Sequence, residues 1–191
     1  MLGIPRGGVV VAAEVAAALA APLGVAVVRK LGAPSNEEFA IGAIAEGVRV
    51  VNPDAISAGR VTPQQLAFVE DLERVELNRR MRVFGAASID LAGRTAFVVD
   101  DGVATGATLL AACHAVRARG AARVIAAVPV APAEFRVDAA VDEFVCPHRE
   151  HDFWAVGQFY DDFTQTSDGE VEALLLQGGD ASAGPATGGG P

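Results

Sequence analysis

Phe97-Val98-Val99-Asp100-Asp101-Gly102-Val103-Ala104-Thr105-Gly106-Ala107-Thr108 is an apolar run that ends in two acids and passes through small residues into an Ala- and Leu-rich segment. The order reads as a buried strand, a tight turn and the first turn of a helix. At the carboxyl end of a parallel strand, such a turn forms a ligand crevice. The backbone N–H groups of Val103, Ala104, Thr105, Gly106 and Ala107 can surround a phosphate, helped by the hydroxyls of Thr105 and Thr108. Gly102 and Gly106 permit tight turning and close backbone approach. Asp100 and Asp101 stand apart from that nest, where they can accept hydrogen bonds from the vicinal hydroxyls of a sugar. The plainer alternative is an ordinary strand-turn-helix with an exposed acid pair.

Outward from this segment, strand-like runs rich in Val and Ile occupy residues 25–29, 40–45, 48–51, 95–100, 123–129 and 141–145. Helical stretches cover residues 9–21, a segment from Thr62-Pro63 to about residue 83, and one from about Thr105 to just before Gly120. Strands alternating with helices predict an α/β fold, a mainly parallel twisted sheet with helices on both faces. Residues 31–39, LGAPSNEEF, read as a Gly/Pro/Asn loop able to close over a site. Residues 177–191 are nearly all Gly, Ala, Ser, Pro and Thr, which predicts a disordered tail after one domain spanning residues 1–176. The glycine-bearing loop at residues 3–8 starts almost at Met1, leaving little room for the strand that should deliver it. The expectation is a sheet that lacks part of its N-terminal strand and helix.

Composition narrows the function classes. A chain of 191 residues, about half of them apolar, suits a single α/β domain. The strongly apolar residues 15–28 are interrupted by Pro22 and Gly24 and fall short of a membrane span, and no secretion signal is evident. A cytoplasmic protein with no membrane partner is the expectation. Two scattered cysteines, Cys113 and Cys146, support neither a disulfide framework nor a zinc site. From Glu134 onward twelve acids face two arginines, within a net charge of −9. Such a surface argues against nucleic acid as a partner, and positive potential for an anionic ligand must be local. Fourteen arginines accompany one lysine, Lys30. Either it survives by chance or that position needs an ammonium rather than a guanidinium.

From Ala96 the chain reads four apolar residues, two acids, any residue, an apolar residue, any residue, Thr, Gly, any residue, Thr. Every defined position resembles the phosphoribosyl-diphosphate signature of type I phosphoribosyltransferases. The resemblance implies that Asp100 and Asp101 hold the ribose 2′- and 3′-hydroxyls, and that Val103, Ala104, Thr105, Gly106, Ala107 and Thr108 hold the 5′-phosphate. Gly3-Ile4-Pro5-Arg6-Gly7-Gly8 resembles the family's diphosphate loop, which often carries a cis non-proline peptide; on that comparison Arg6, Gly7 and Gly8 contact the diphosphate. A plain turn remains the alternative. Arg29-Lys30 resembles the basic pair placed against the diphosphate, making Lys30 a catalytic candidate with Asp100 and Asp101. Residues 31–39 would then shut over the site and exclude water. There Glu37 and Glu38 would stabilise the cationic ribose or move a proton, or else stand as an exposed acid pair.

Phe153-Trp154-Ala155-Val156-Gly157-Gln158-Phe159-Tyr160-Asp161-Asp162 is similar to the segment with which hypoxanthine-guanine phosphoribosyltransferases hold the purine and a magnesium ion. By that comparison Trp154 stacks on a base and Asp161 lies near the metal. The order is Tyr-Asp rather than Asp-Tyr, and a core aromatic cluster is the competing reading. The resemblance covers about residues 3–176 and implies a magnesium-dependent enzyme. Its substrates would be phosphoribosyl diphosphate and a small nitrogenous base, and its product would leave with release of pyrophosphate. A homodimer is common in the family. Two other readings stay open: a non-catalytic regulator that senses the activated ribose, and an N-terminally truncated inactive relative.

Overall fold

The computed structural model describes residues 1–45, 47–84 and 89–180. In chain order the elements are β1 (Leu2–Gly3), α1 (Gly7–Ala18), β2 (Gly24–Val25), β3 (Val28–Ala33), β4 (Asn36–Ala45), β5 (Val48–Val51), α2 (Pro53–Ala58) and α3 (Pro63–Phe84). Then follow β6 (Thr95–Val99), α4 (Ala107–Ala118), β7 (Arg123–Ala127), β8 (Val130–Pro132), β9 (Glu143–Val145), β10 (His148–Glu150), a 3₁₀ turn (Val156–Phe159) and α5 (Asp168–Asp180).

Alternation along β6 builds the core. Ala96 and Val98 are buried with Leu109, Ala112, Cys113 and Val116 of α4, residues spaced three and four apart on one helix face. Phe97 and Val99 point the other way, into a cluster with Val9, Ala12 and Ala16 of α1. A strand buried on both faces reads as a continuous apolar run, which is why FVV carries no polar alternation. The sheet order is β2-β1-β6-β7-β9, all parallel, with helices on both faces as expected.

The short first strand sits between β2 and β6. Its ladder continues beyond Leu2 and Gly3. Ile4 N–H donates to the Val99 carbonyl at 2.8 Å and Ala26 N–H to the Gly3 carbonyl at 2.9 Å. Two residues of strand therefore deliver the following loop to the carboxyl edge of β6.

The strand expected over residues 123–129 is interrupted. β7 stops at Ala127 and its direction resumes as β8, just as β9 resumes as β10, and β8 pairs with β10 in parallel. Pro129 and Pro147 sit at the two breaks. Proline has no N–H to give to a ladder, which interrupts the regular pattern. Val128 N–H to the Val145 carbonyl at 3.0 Å and His148 N–H to the Pro129 carbonyl at 3.1 Å still tie the segments across the gap.

The chain 31–39 is not a free loop. β3 and β4 form an antiparallel hairpin whose strands run to Ala33 and from Asn36, and β5 completes a three-stranded sheet. Leu31 is fully buried and Ala33 nearly so. Gly32 marks an irregularity in register, and a Cβ there would lie 2.4 Å from the Glu37 carbonyl oxygen. Of the glycine, proline and asparagine that suggested a loop, Gly32 lies at a bulge, Pro34 in the turn, and Asn36 begins β4.

α3 begins with a reciprocal cap, Gln65 N–H to Thr62 Oγ1 at 3.2 Å and Thr62 N–H to Gln65 Oε1 at 2.9 Å. α5 begins the same way through Ser167 and Glu170, with Glu170 N–H to Ser167 Oγ at 3.2 Å. It buries Val171 and Leu175. This helix takes in residues 177–180, which the sequence assigned to a disordered tail; residues 181–191 lie outside the described residues. Among the described residues no helix is long and apolar enough to cross a membrane.

Candidate active site

Two loops meet at the carboxyl edge of β1 and β6. The first turns at Pro5–Arg6, whose peptide bond is cis, and enters α1 through Gly7 and Gly8. These glycines lie against the acid pair. A Cβ on Gly7 would stand 1.9 Å from Asp101 Oδ2, and one on Gly8 would stand 2.7 Å from the Val99 carbonyl oxygen and 2.9 Å from Asp100 Oδ1. The glycines of P-R-G-G are thus required by the two aspartates, a segment about ninety residues away in the chain.

Asp100 keeps one tie to the sheet, its N–H donating to the Ala127 carbonyl at 3.2 Å. Its own Oδ1 accepts the Asp101 N–H at 3.0 Å. Burial, and then the negative charge of Asp101, push the Asp100 carboxyl well above the usual aspartate range. Burial raises Asp101 as well. The pair is therefore poised to gain from a cation or from hydroxyl donors. The Tyr160 hydroxyl donates to the Asp101 carbonyl at 2.5 Å, and burial together with both carboxylates raises its phenol. Tyr160 stays a neutral donor and pins the C-terminal segment over the site. Its side chain received no role from sequence, although its being the only tyrosine of the chain was visible.

The turn after the acids is held from outside. A Cβ on Gly102 would lie 2.5 Å from Val156 Cγ1 of the 3₁₀ turn. Gly106 adopts a φ of +81°, and a Cβ there would enter the Phe135 ring at 2.2 Å. Ala104, Thr105 and Thr108 are exposed at the mouth of α4, while Ala107 N–H leans on Thr105 Oγ1 at 3.4 Å. One expectation changes here. Val103 is buried and its N–H donates to the Val130 carbonyl at 3.1 Å, so it is not free for a phosphate. Among the described residues, the N–H groups of Ala104, Thr105 and Gly106 have no protein acceptor.

Two clefts open beside these loops. One, of about 600 Å³, brings Pro5 and Thr108 together with Arg29 and Lys30 of β3, Glu37 of β4, and Phe68, Leu72 and Arg80 of α3. The other, of about 560 Å³, brings Arg6, Gly7 and Asp101 together with Tyr160, Asp162 and Phe163. Arg29 is engaged by Glu73, Nε to Oε2 at 2.5 Å, and Arg6 reaches Asp168 at 3.5 Å. Trp154 and Asp161 are not gathered in. Trp154 is 90% exposed, and neither residue lines either cleft, whereas the neighbours Tyr160 and Asp162 do. The side chain of Glu38 lies outside the described residues. Sequence reasoning missed α3 as a wall of the site, since its helical periodicity said which face is buried but not what it covers.

The donor set bears on magnesium. Among the described residues no three His, Cys, Asp or Glu side chains gather as a metal cluster. Asp100 and Asp101 alone suit an ion that arrives on a diphosphate and needs one or two carboxylates from the protein.

Residues 1–164 match the family model described as the phosphoribosyl transferase domain. The chain belongs to this family. Over 180 residues it is 51% identical to a Mycobacterium tuberculosis protein, known from each of two strains, whose name assigns it provisionally to the phosphoribosyl transferases. The match covers 92% of this phosphoribosyl transferase-family chain and 41% of that protein, so the chain spans about two-fifths of its curated relatives' length. The crystal structure of TT1426 from Thermus thermophilus is similar at a TM-score of 0.79 and 43% identity, covering 92% of this chain and 86% of that one.

Proposed function

We propose that the domain binds 5-phosphoribosyl 1-diphosphate with magnesium and transfers the phosphoribosyl group to a nitrogenous base. The observation that carries this reading is the seating of Gly7 and Gly8 against Asp100 and Asp101, beside the phosphate-type turn at the mouth of α4. In this reading the acids accept the ribose 2′- and 3′-hydroxyls. Ala104, Thr105, Gly106 and Thr108 take the 5′-phosphate, and Arg6, Gly7, Gly8 and Lys30 face the diphosphate. Magnesium offsets charge on the leaving diphosphate. The base nitrogen forms a bond to C1, the C1–O bond breaks, and pyrophosphate leaves with the electron pair while the base gives its proton to solvent. The two carboxylates oppose the positive charge that grows on the ribose.

Calorimetry with magnesium tests the binding half. Phosphoribosyl diphosphate should bind the wild type and not the double variant Asp100→Asn, Asp101→Asn; equal affinities would remove the acid pair from the site. Lys30→Ala should weaken pyrophosphate by about tenfold. Pyrophosphate release across a panel of nucleobases tests the chemistry. The exposure of Trp154 favours a second reading, a regulator that binds the activated ribose without an assembled base platform. Binding with no turnover on any base would select it.

A further inference from the structure

The inner stripe of α3 carries charge where its neighbours are apolar. Glu73, Leu77, Arg80 and Phe84 recur at helical spacing on one face. Leu77 and Phe84 are 3% and 2% exposed, and the helix packs on β3, β4 and α5. Glu73 has its counter-ion in Arg29. Arg80 is held differently. Its Nε donates to Glu76 Oε1 at 2.9 Å, an oxygen that also accepts from Arg79 Nη2 at 2.9 Å. Arg79 Nε holds the other carboxylate oxygen at 2.8 Å. Glu76 therefore keeps a two-pronged partner if Arg80 departs. Among the described residues, the terminal nitrogens of Arg80 have no acceptor.

Arg80 and Pro5 line both clefts, so Arg80 stands between the two, on walls that it shares with the Pro5–Arg6 turn. The chain has a net charge of −9, and Arg6 and Arg29 each face an acid already. A diphosphate bound at that turn needs further positive charge, and a planar guanidinium with free terminal nitrogens matches its oxygens in pairs. Resting on the phosphoribosyl-diphosphate reading above, we infer that Arg80 is a substrate-binding residue that turns from Glu76 to grip the diphosphate from the α3 side. Leu72 and Phe68, about two and three turns further up the helix, wall the same cleft.

Calorimetry on the full chain, with magnesium present, tests this using inorganic pyrophosphate and ribose 5-phosphate as separate probes. Arg80→Gln should weaken pyrophosphate by about tenfold or more and leave ribose 5-phosphate within about twofold. Its Tm should stay near that of the wild type, since Arg79 remains on Glu76. Arg80→Lys keeps the charge without the fork and should fall between the two; if the glutamine variant does not fold, the lysine variant decides. An unchanged pyrophosphate affinity, or an equal loss for both probes, would overturn the inference. A wild type that binds neither probe would instead bring down the phosphoribosyl-diphosphate reading, and Arg80's role with it.

Discussion

Gly7 approaches Asp101 so closely that a Cβ at residue 7 would stand 1.9 Å from Oδ2 of the carboxylate. Any side chain at residue 7 must therefore displace the Asp101 carboxylate. The loop of residues 5–8 and the acids Asp100 and Asp101 form one unit, held by the pairing of β1 with β6.

Substitutions at the two glycines should separate binding from folding. At Gly7 the added methyl meets a side chain, which can rotate away; at Gly8 it meets the Val99 carbonyl and the Asp100 Cα, which cannot. Gly7→Ala should fold with a modest drop in Tm and lose about tenfold or more in affinity for phosphoribosyl diphosphate. Gly8→Ala should lose about 2 kcal/mol or more of stability by urea denaturation. The reverse order would contradict the packing.

Burial beside Asp101 makes the ionised Asp100 carboxyl a source of instability in the fold. Its folded-state pKa is raised by burial and by Asp101, so the native state favours the protonated form. Its contribution to stability is full below the unfolded aspartate pKa of about 4 and is lost as pH rises through the folded value. Asp100→Asn should accordingly raise Tm at pH 7 to 8, with the gain shrinking toward pH 4, while ligand binding is lost. A variant less stable than wild type at neutral pH would show that the carboxylate is stabilised in the fold.

The Tyr160 hydroxyl to Asp101 carbonyl bond predicts a small, specific effect. Tyr160→Phe should cost about 1 kcal/mol in thermal or urea unfolding. The deficit should not vary between pH 6 and 9, because the phenol's pKa is pushed upward. Hydrogen exchange should quicken across residues 154–166.

Gly106 combines a φ of +81° with the Phe135 ring at the position of any side chain. Gly106→Ala should destabilise by about 1–3 kcal/mol and displace the mouth of α4. Pairing it with Phe135→Leu should recover part of the loss, since the ring contact is relieved and the backbone strain is not. No recovery would mean that the backbone angle alone sets the cost.

Several parts of this structure were legible in the residues. The apolar run 97–99, the acids and the small-residue turn read locally as strand, turn and helix, because burial on both faces removes polar alternation and because glycine is needed where φ is positive. Thr62-Pro63 marked the start of α3 through its cap. Ser167 and Glu170 carried the same signal for α5, which was obscured by the low-complexity residues after it. The hairpin at residues 31–39 was hidden because Gly32, Pro34 and Ser35 are loop formers by composition, and only pairing with β4 makes them a bulge and a turn.

By itself, the sequence determined the family and the phosphate-type turn, since both reside in contiguous residues whose backbone needs are local. Only the tertiary structure decided what completes the site. It set Gly7 and Gly8 on the acids, spent the Val103 N–H on Val130, left Trp154 in solvent, and brought Arg80 of α3 between the clefts. Periodicity records which face of an element is buried. What that face meets depends on strand pairing between distant residues, as between β1 and β6, whose register no local pattern encodes.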